Sequence, residues 1–276
     1  MINKRIKLLP PSIFERLYLI YLDMVFGGEL KRNKVLKNAY RGKRCFFIGN
    51  GPSLSKMNLA ILEDKFVFAV NEFYLHPDSE AVKPDFYSLI EPWNNSFFKE
   101  DYFKKLFEAI QKLCDKNNKM ILFFNIDYKP YIELHKLFKG QEIYYLKALL
   151  PILDSQNYHD DISHPHSFMD ASSYNAFTCL AYMGFKRIYF IGCDLDFVKN
   201  KGSKHFFDDK KKVGFIEGEE FSNERRYHRS YVILKKWRLT VKHFRKKGVK
   251  IINAGIGGDN DTCPRISYLS LFKRNK

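Results

Sequence analysis

The chain has 276 residues, and 47 Lys and Arg against 31 Asp and Glu give it a formal net charge of +16 at pH 7. Apolar residues make up 45% of it and aromatic residues 16%, enough for a substantial core, which excludes an intrinsically disordered chain. No apolar run reaches the roughly 20 residues that a membrane-spanning helix needs. No signal peptide is recognisable either, so we expect a cytoplasmic protein.

The positive charge favours three kinds of partner: nucleic acid, an anionic membrane surface or a phosphate-bearing substrate. Solubility alone would also explain it. Lys and Arg are spread along the chain without a nucleic-acid-binding motif, so we expect no nucleic acid partner. The cysteines stand far apart and show no spacing typical of zinc sites, which predicts free, mostly buried thiols in a reducing compartment.

Residues 1–40 form a predicted N-terminal basic amphipathic arm. Ser12 and Glu15 have the spacing of a capping box, and apolar residues then recur at helical spacing up to Gly27-Gly28, where we expect the helix to end. Basic residues flank it: Lys4, Arg5, Lys7, Lys31, Arg32 and Lys34. This pattern favours a helix lying on the anionic inner face of the cell membrane. Packing on the body of the protein, or on a second subunit of a homo-oligomer, explains it equally well.

Residues 41–276 alternate short apolar runs with helical stretches. The predicted strands are Arg44–Gly49, Phe66–Val70, Asp85–Ile90, Met120–Asn125, Gln141–Leu146, Arg187–Gly192 and Lys250–Asn253, and the helical stretches cover about 97–116, 172–183 and 224–247. This alternation predicts an α/β fold, a doubly wound and mostly parallel Rossmann-like sheet with helices on both faces. Residues 197–223 are highly charged without clear periodicity, which predicts a lid loop.

Polar residues follow four of the predicted strands, at the ends where open α/β sheets bind ligands. They are Gly49-Asn50-Gly51-Pro52-Ser53, Asn71-Glu72, Glu91 and the pair Asp194 and Asp196. The glycines of the first turn allow a ligand to approach the backbone, and exposed amides there suit a phosphate. Two carboxylates spaced like Asp194 and Asp196 suit Mg²⁺ or Mn²⁺ when both lie in a loop.

Two histidines are candidates for a general base. His228 lies near the start of the last long helix, beside the lid and next to arginines, although a role in helix packing would also account for it. His205 lies within the lid itself. His159, His164 and His166 cluster in a polar segment, where we expect solvated side chains rather than a metal site.

As a group, these residues resemble the bacterial sialyltransferases that use CMP-sialic acid on a single Rossmann-like domain. The similar segments are Gly49-Asn50-Gly51-Pro52-Ser53-Leu54, Asn71-Glu72-Phe73-Tyr74, Glu91-Pro92, Ala171-Ser172-Ser173 and Gly192-Cys193-Asp194. The catalytic His of that family best matches His228. Where those enzymes carry two Tyr that bind the leaving phosphate, this chain has Asp196, Phe197 and His205.

Over a longer stretch, about residues 40–272, the chain resembles the 6-hydroxymethylpterin pyrophosphokinase (MptE)-like family that is common in surface-polysaccharide loci. Gly42 to Leu54 is similar to the opening of that family. Its ending is similar to Asn253-Ala254, Gly257-Gly258, Pro264-Arg265 and Leu271-Phe272.

The resemblance implies a glycosyltransferase that moves a sialic-acid-type (nonulosonic) sugar from a CMP-sugar donor to a surface glycan acceptor, such as lipopolysaccharide, capsule or glycoprotein. His228 would be the base, the lid would exclude water, and no metal or other cofactor would be required. The donor nucleotide would be bound by Asn50, Gly51, Pro52, Ser53, Asn71, Glu91, Ser172, Ser173, Asp194 and Asp196.

Within that set, Asn50, Gly51 and Ser53 would contact the phosphate or ribose. Asn71 and Ser172 would bind cytidine and sugar hydroxyls. Asp194 would orient either the ribose or a backbone turn.

Two alternatives remain at the level of sequence. One is Mg²⁺-dependent pyrophosphoryl transfer from ATP, with Asp194, Asp196 and Glu91 as metal ligands. The other is a non-catalytic polysaccharide-assembly factor that keeps the fold without the chemistry. Because the Asn and Ser positions match as a set, the sequence favours the CMP-sugar site.

Overall fold

The computed structural model describes residues 13–90, 100–151, 158–168, 172–196, 205–207 and 222–273. These residues form a seven-stranded sheet of β1 (Arg44–Ile48), β2 (Val67–Val70), β3 (Phe86–Leu89), β4 (Ile121–Asn125), β5 (Ile143–Leu146), β8 (Arg187–Ile191) and β9 (Lys250–Asn253). Two further strands, β6 (Ala148–Pro151) and β7 (His166–Phe168), pair with each other in a second small sheet. The α-helices are α1 (Ile13–Leu30), α2 (Ser79–Val82), α3 (Glu100–Lys116), α4 (Lys129–Leu134), α5 (Ser172–Tyr182) and α6 (Asn223–Lys246).

The strand order is β5-β4-β3-β2-β1-β8-β9, and every neighbouring pair in it is parallel. The chain builds the sheet outward from β1 in one direction and then returns to the other side of β1 with β8. The switch point of this doubly wound sheet therefore lies between β1 and β8, the place where such sheets bind ligands. The predicted α/β class is confirmed, and each of the seven predicted strands is present within two residues at either end.

Helices cover the sheet on both faces, which explains why its central strands are buried and mostly apolar. On one face α5 and α6 pack against the sheet, with the Trp237 ring centroid 4.9 Å from that of Phe190. On the other face α3 and α4 contribute to a second cluster, in which the Phe107 and Phe124 ring centroids are 5.8 Å apart. Strands buried on both faces carry continuous apolar runs rather than alternating ones.

The predicted end of α1 at Gly27-Gly28 is wrong, because the helix continues through both glycines to Leu30. Leu30 is fully buried in the core, and Phe26 packs against the same cluster. Two glycines in a helix cost about 1 kcal/mol each relative to Ala, and tertiary packing of this size outweighs that cost. Ser12, the predicted cap, lies outside the described residues.

The rest of the arm packs on the edge of the sheet. Buried Asn33 donates from Nδ2 to the carbonyl oxygens of Tyr145, at 2.8 Å, and Ile162, at 2.7 Å. Since Tyr145 belongs to the edge strand β5, this contact covers backbone groups that would otherwise be open to pairing with another chain. Packing of the arm on the body is therefore confirmed, whereas a domain boundary at residue 40 stays a prediction.

All five cysteines are free, and Cys45, Cys114 and Cys179 are buried, as the spacing predicted. Among the described residues, no helix has the length and apolar character needed to cross a membrane.

Candidate functional site

The turns after β1 and β8 meet at the switch point and are joined by hydrogen bonds. One carboxylate oxygen of Asp194 accepts the backbone N–H of Ser53 at 2.7 Å, and the other accepts the Ser53 hydroxyl at 2.6 Å. The N–H of Gly51 donates to the Gly192 carbonyl at 2.7 Å. The sequence suggested the backbone N–H groups of this turn as ligands of a phosphate. In the structure, those of Gly51 and Ser53 instead form hydrogen bonds that hold the β1 turn against the β8 loop.

Asp194 is only 5% exposed, and the C-terminal glycine loop, residues 255–258, packs over it. Burial raises the pKa of Asp194 above its usual value, although the hydrogen bonds from Ser53 act in the opposite direction. Gly258 has φ +81°, and a Cβ there would lie 2.3 Å from the Asp194 Cα, so only glycine fits this approach. Of the two predicted roles for Asp194, orienting a backbone turn is the one that the geometry supports.

Arg265 holds the loop that closes over Asp194. Its guanidinium donates to the carbonyl oxygens of Gly255 and Gly257, each at 3.0 Å, and of Gly258 at 3.1 Å. Gly257, Gly258 and Arg265 belong to the family-like segments at the end of the sequence. The sequence did not indicate that Arg265 would form hydrogen bonds with the glycine carbonyls. Beside the loop is an open depression of about 400 Å³, lined by Gly258, Asp259, Asn260, Asp261, Cys263 and Arg265.

The other side of the β1 turn faces β2 and carries the amide side chains. Asn50 donates from Nδ2 to the Val70 carbonyl at 3.3 Å. Asn71, which directly follows Val70, is hydrogen-bonded to Ser172 at the start of α5, with Nδ2 3.0 Å from the Ser172 hydroxyl oxygen. The predicted trio of Asn50, Asn71 and Ser172 thus forms one connected line along the carboxyl edge of the sheet.

Two features of this line are energetically unfavourable. The Asn50 Oδ1 atom is buried and has no hydrogen-bond partner among the described residues. Asn71 adopts a left-handed backbone conformation with φ +51°, and the Tyr87 hydroxyl donates to its carbonyl oxygen. Unpaired buried acceptors and left-handed non-glycine residues both cost free energy, and strained backbone of the second kind clusters at functional sites.

Residues 205–207 are the central described part of the predicted lid, and they lie on the β1 turn. The backbone N–H of Phe206 donates to the Asn50 carbonyl at 3.0 Å, and its ring centroid is 5.0 Å from that of His76. His205 stacks on Phe207 with 4.9 Å between the ring centroids. Residues 197–204 and 208–221 of the lid lie outside the described residues.

His228 is exposed on the second turn of α6. The Tyr174 hydroxyl of α5 donates to the Ile233 carbonyl at 2.8 Å, which fixes how the two helices stand side by side. His228 precedes Ile233 by five residues, or about 7.5 Å along the axis toward the carboxyl edge of the sheet. It therefore lies at the same edge as Ser172, although no hydrogen bond within the described part of the chain joins the two.

The remaining predicted residues have different surroundings. Pro52 begins a short 3-10 helix, Pro52–Lys56, and Ser173 is buried in the first turn of α5. Asp196 is partly exposed two residues beyond Asp194, and Leu195 between them has φ +53°. Glu91 lies outside the described residues.

The three clustered histidines do not behave alike. His166 lies in β7 and is fully buried, against the expectation of a solvated loop, with Nε2 3.2 Å from Asn175 Oδ1. Burial lowers the pKa of His166 to about 4, so it is neutral at pH 7. His164 is exposed, and its Nδ1 is 2.9 Å from Asp23 Oδ1. In the part of the chain that the structure describes, no three His, Cys, Asp or Glu side chains are grouped as metal ligands would be.

A protein-family model described as "6-hydroxymethylpterin diphosphokinase MptE-like" matches residues 27–200, well over half of the chain. The matched range contains the β1 turn, Asn71, Ser172 and Asp194. It ends before α6 and the C-terminal glycine loop. No curated protein sequence matches the chain.

Proposed function

The chain belongs to the MptE-like family, and from that premise we propose that it is a glycosyltransferase using a CMP-activated nonulosonic sugar, with a surface glycan as acceptor. The observation that carries the proposal is the connected line of Asn50, Asn71 and Ser172 beside the switch point. These are the amide and hydroxyl positions that resemble the sialyltransferase donor site. They lie at the edge where a doubly wound sheet binds its nucleotide.

The unpaired Asn50 Oδ1 atom supports a contact with the nucleoside rather than with a phosphate. This oxygen accepts hydrogen bonds, and an ionised phosphate offers no donor to it. The amino group of cytosine and the ribose hydroxyls are donors. A ligand donor reaching Asn50 would remove the cost of a buried unpaired acceptor, about 1–3 kcal/mol.

The geometry of Asp194 favours this proposal over metal-dependent pyrophosphoryl transfer. Both carboxylate oxygens already accept hydrogen bonds from Ser53, at 2.7 and 2.6 Å. A Mg²⁺ ion bound there would compete with the contacts that hold the β1 turn. The family description nevertheless names a diphosphokinase, so pyrophosphoryl transfer with ATP and Mg²⁺ is the second candidate.

For sugar transfer we assign His228 as the general base. The acceptor oxygen bonds to the anomeric carbon, the bond from that carbon to the CMP phosphate oxygen breaks with its electron pair, and the hydroxyl proton passes to the imidazole. His228 is exposed, which is compatible with a bulky glycan acceptor. His205 is the competing candidate for the base. The hydrogen bond from the N–H of the adjacent Phe206 to the Asn50 carbonyl places His205 next to the proposed donor site.

Thermal unfolding with single nucleotides tests the donor. We expect CMP to raise the melting temperature without Mg²⁺, and UMP, which has a carbonyl in place of the cytosine amino group, to raise it less. CDP, UDP, GDP and ATP complete the series, each with and without Mg²⁺. Stabilisation follows affinity and concentration. Stabilisation by ATP with Mg²⁺ alone would instead establish the pyrophosphokinase alternative.

Single-turnover rates with a CMP-sugar test the base. His228→Ala should lower the rate by about 10² to 10⁴ and leave donor affinity nearly unchanged, because a base acts in the transition state. His205→Ala is the matched variant. If it alone abolishes turnover, the base is His205.

A further inference from the structure

Helix α1 has two faces with opposite surroundings. Leu22 and Leu30 are buried on the inner face, where Phe26 also packs against the core. On the outer face, four apolar side chains on adjacent turns are between 51% and 73% exposed: Ile20, Tyr21, Met24 and Val25. Over residues 20–30, packing on the body of the protein therefore accounts for only part of the apolar surface of this helix.

Basic residues continue the outer face beyond the end of the helix. Lys31, Arg32 and Lys34 are exposed in the 3-10 helix that follows α1, and Arg32 is paired with Glu29 at 2.6 Å. Lys31 and Lys34 form no ion pair with any residue in the described ranges. An exposed apolar face next to unpaired lysines is typical of a helix that lies in the interface of an anionic membrane.

Contacts of the inner face show where α1 lies relative to the candidate site. The Phe26 ring centroid is 4.7 Å from Lys147 Nζ, and Glu29 pairs with Lys129 Nζ at 2.5 Å. Lys147 directly follows β5, and Lys129 follows β4, so α1 lies at the carboxyl edge of the sheet. The β1 turn is at the same edge, four strand spacings or about 19 Å from β5.

We propose that the outer face of α1, formed by Ile20, Tyr21, Met24 and Val25 with Lys31 and Lys34, docks on an anionic lipid bilayer. The choice of a bilayer over a second copy of the chain rests on charge. Two copies carrying +16 each repel one another, whereas an anionic leaflet attracts both the net charge and the two lysines. Docking would hold the carboxyl edge of the sheet near the membrane surface.

Co-sedimentation of the full chain with vesicles tests this proposal. Wild type should bind phosphatidylcholine vesicles that contain phosphatidylglycerol, and not pure phosphatidylcholine, with binding weakened by salt. The variant Met24→Ser, Val25→Ser should bind at least about tenfold more weakly, since it removes apolar side chains that enter the interface. Lys31→Glu, Lys34→Glu should lose a similar factor because each lysine near the surface contributes to attraction.

Matched variants separate this surface from general hydrophobicity and charge. Leu269→Ser removes another apolar side chain that is 63% exposed, and Lys104→Glu, Lys105→Glu makes the same charge change on α3. Both should bind vesicles like wild type. Equal loss of vesicle binding in all four variants would overturn the proposal. So would a wild-type protein that is dimeric, does not bind vesicles, and becomes monomeric in the variant Met24→Ser, Val25→Ser. Nucleotide-induced stabilisation should be the same in every variant, so failure of docking and failure of the proposed function are distinguishable.

Discussion

The two sides of β1 differ in how completely their polar groups are paired. Toward β8, the N–H of Gly51 and both donors of Ser53 end on atoms of the Gly192–Asp194 loop. Toward β2, Asn50 presents a buried acceptor with no hydrogen-bond partner among the described residues. Paired buried groups fix a conformation, whereas unpaired ones cost free energy until a donor reaches them. The β8 side is therefore the scaffold of the site, and the β2 side is where we expect the ligand.

The largest effect should come from opening the β8 side at its closest backbone contact. Gly258→Ala places a Cβ 2.3 Å from the Asp194 Cα, where neither backbone can yield without moving the loop. We expect the free energy of unfolding to fall by about 3 kcal/mol or more, measured by urea denaturation.

Gly140→Ala is the control for this variant, because its φ of +82° is nearly the same and no atom lies within 4 Å of the new Cβ. It should cost about 1 kcal/mol from backbone strain alone. If both variants cost the same, the contact between Gly258 and Asp194 is not tight and the β8 side is not a rigid scaffold.

The next effect should come from the carboxylate on the β8 side. Asp194→Asn leaves one acceptor oxygen and turns an NH₂ group toward a second donor of Ser53, so we expect a loss of about 2 kcal/mol in the free energy of unfolding. Asp64→Asn removes a charge at an exposed position and should change it by less than about 0.5 kcal/mol. An Asp194→Asn protein with wild-type stability and no nucleotide binding would show that the carboxylate serves a ligand instead.

Most of the sheet was predictable because its strands are buried on both faces and so carry continuous apolar runs, as in Phe66–Val70. The end of α1 was not, because Leu30 is held by contacts with residues distant in sequence, which outweigh two glycines. The short β6 and β7 were missed for a related reason. Three or four residues beside a polar segment carry no recognisable period, and their pairing depends on tertiary context.

The site was predictable in its location and only partly in its roles. Strand ends brought Ser53 and Asp194 to one edge, but the sequence does not reveal that residues 141 positions apart would bond to each other rather than to a ligand. The distinction between the two sides of β1 depends on which hydrogen bonds are made. No motif encodes that, since Asn50 and Ser53 belong to the same five-residue turn.

The smallest effect on stability should come from the β2 side, together with the clearest effect on binding. Asn50→Ala removes a single 3.3 Å hydrogen bond to Val70 and also the unpaired acceptor, so the free energy of unfolding should change by less than about 1 kcal/mol. The dissociation constant for CMP, measured by calorimetry, should rise about tenfold, which corresponds to about 1.4 kcal/mol. Asn58→Ala is the control, since Asn58 is exposed in a nearby turn where it accepts the Ala60 N–H, and it should leave CMP affinity unchanged. If Asn50→Ala destabilised the fold more than Asp194→Asn and left CMP affinity intact, the roles of the two sides would be reversed.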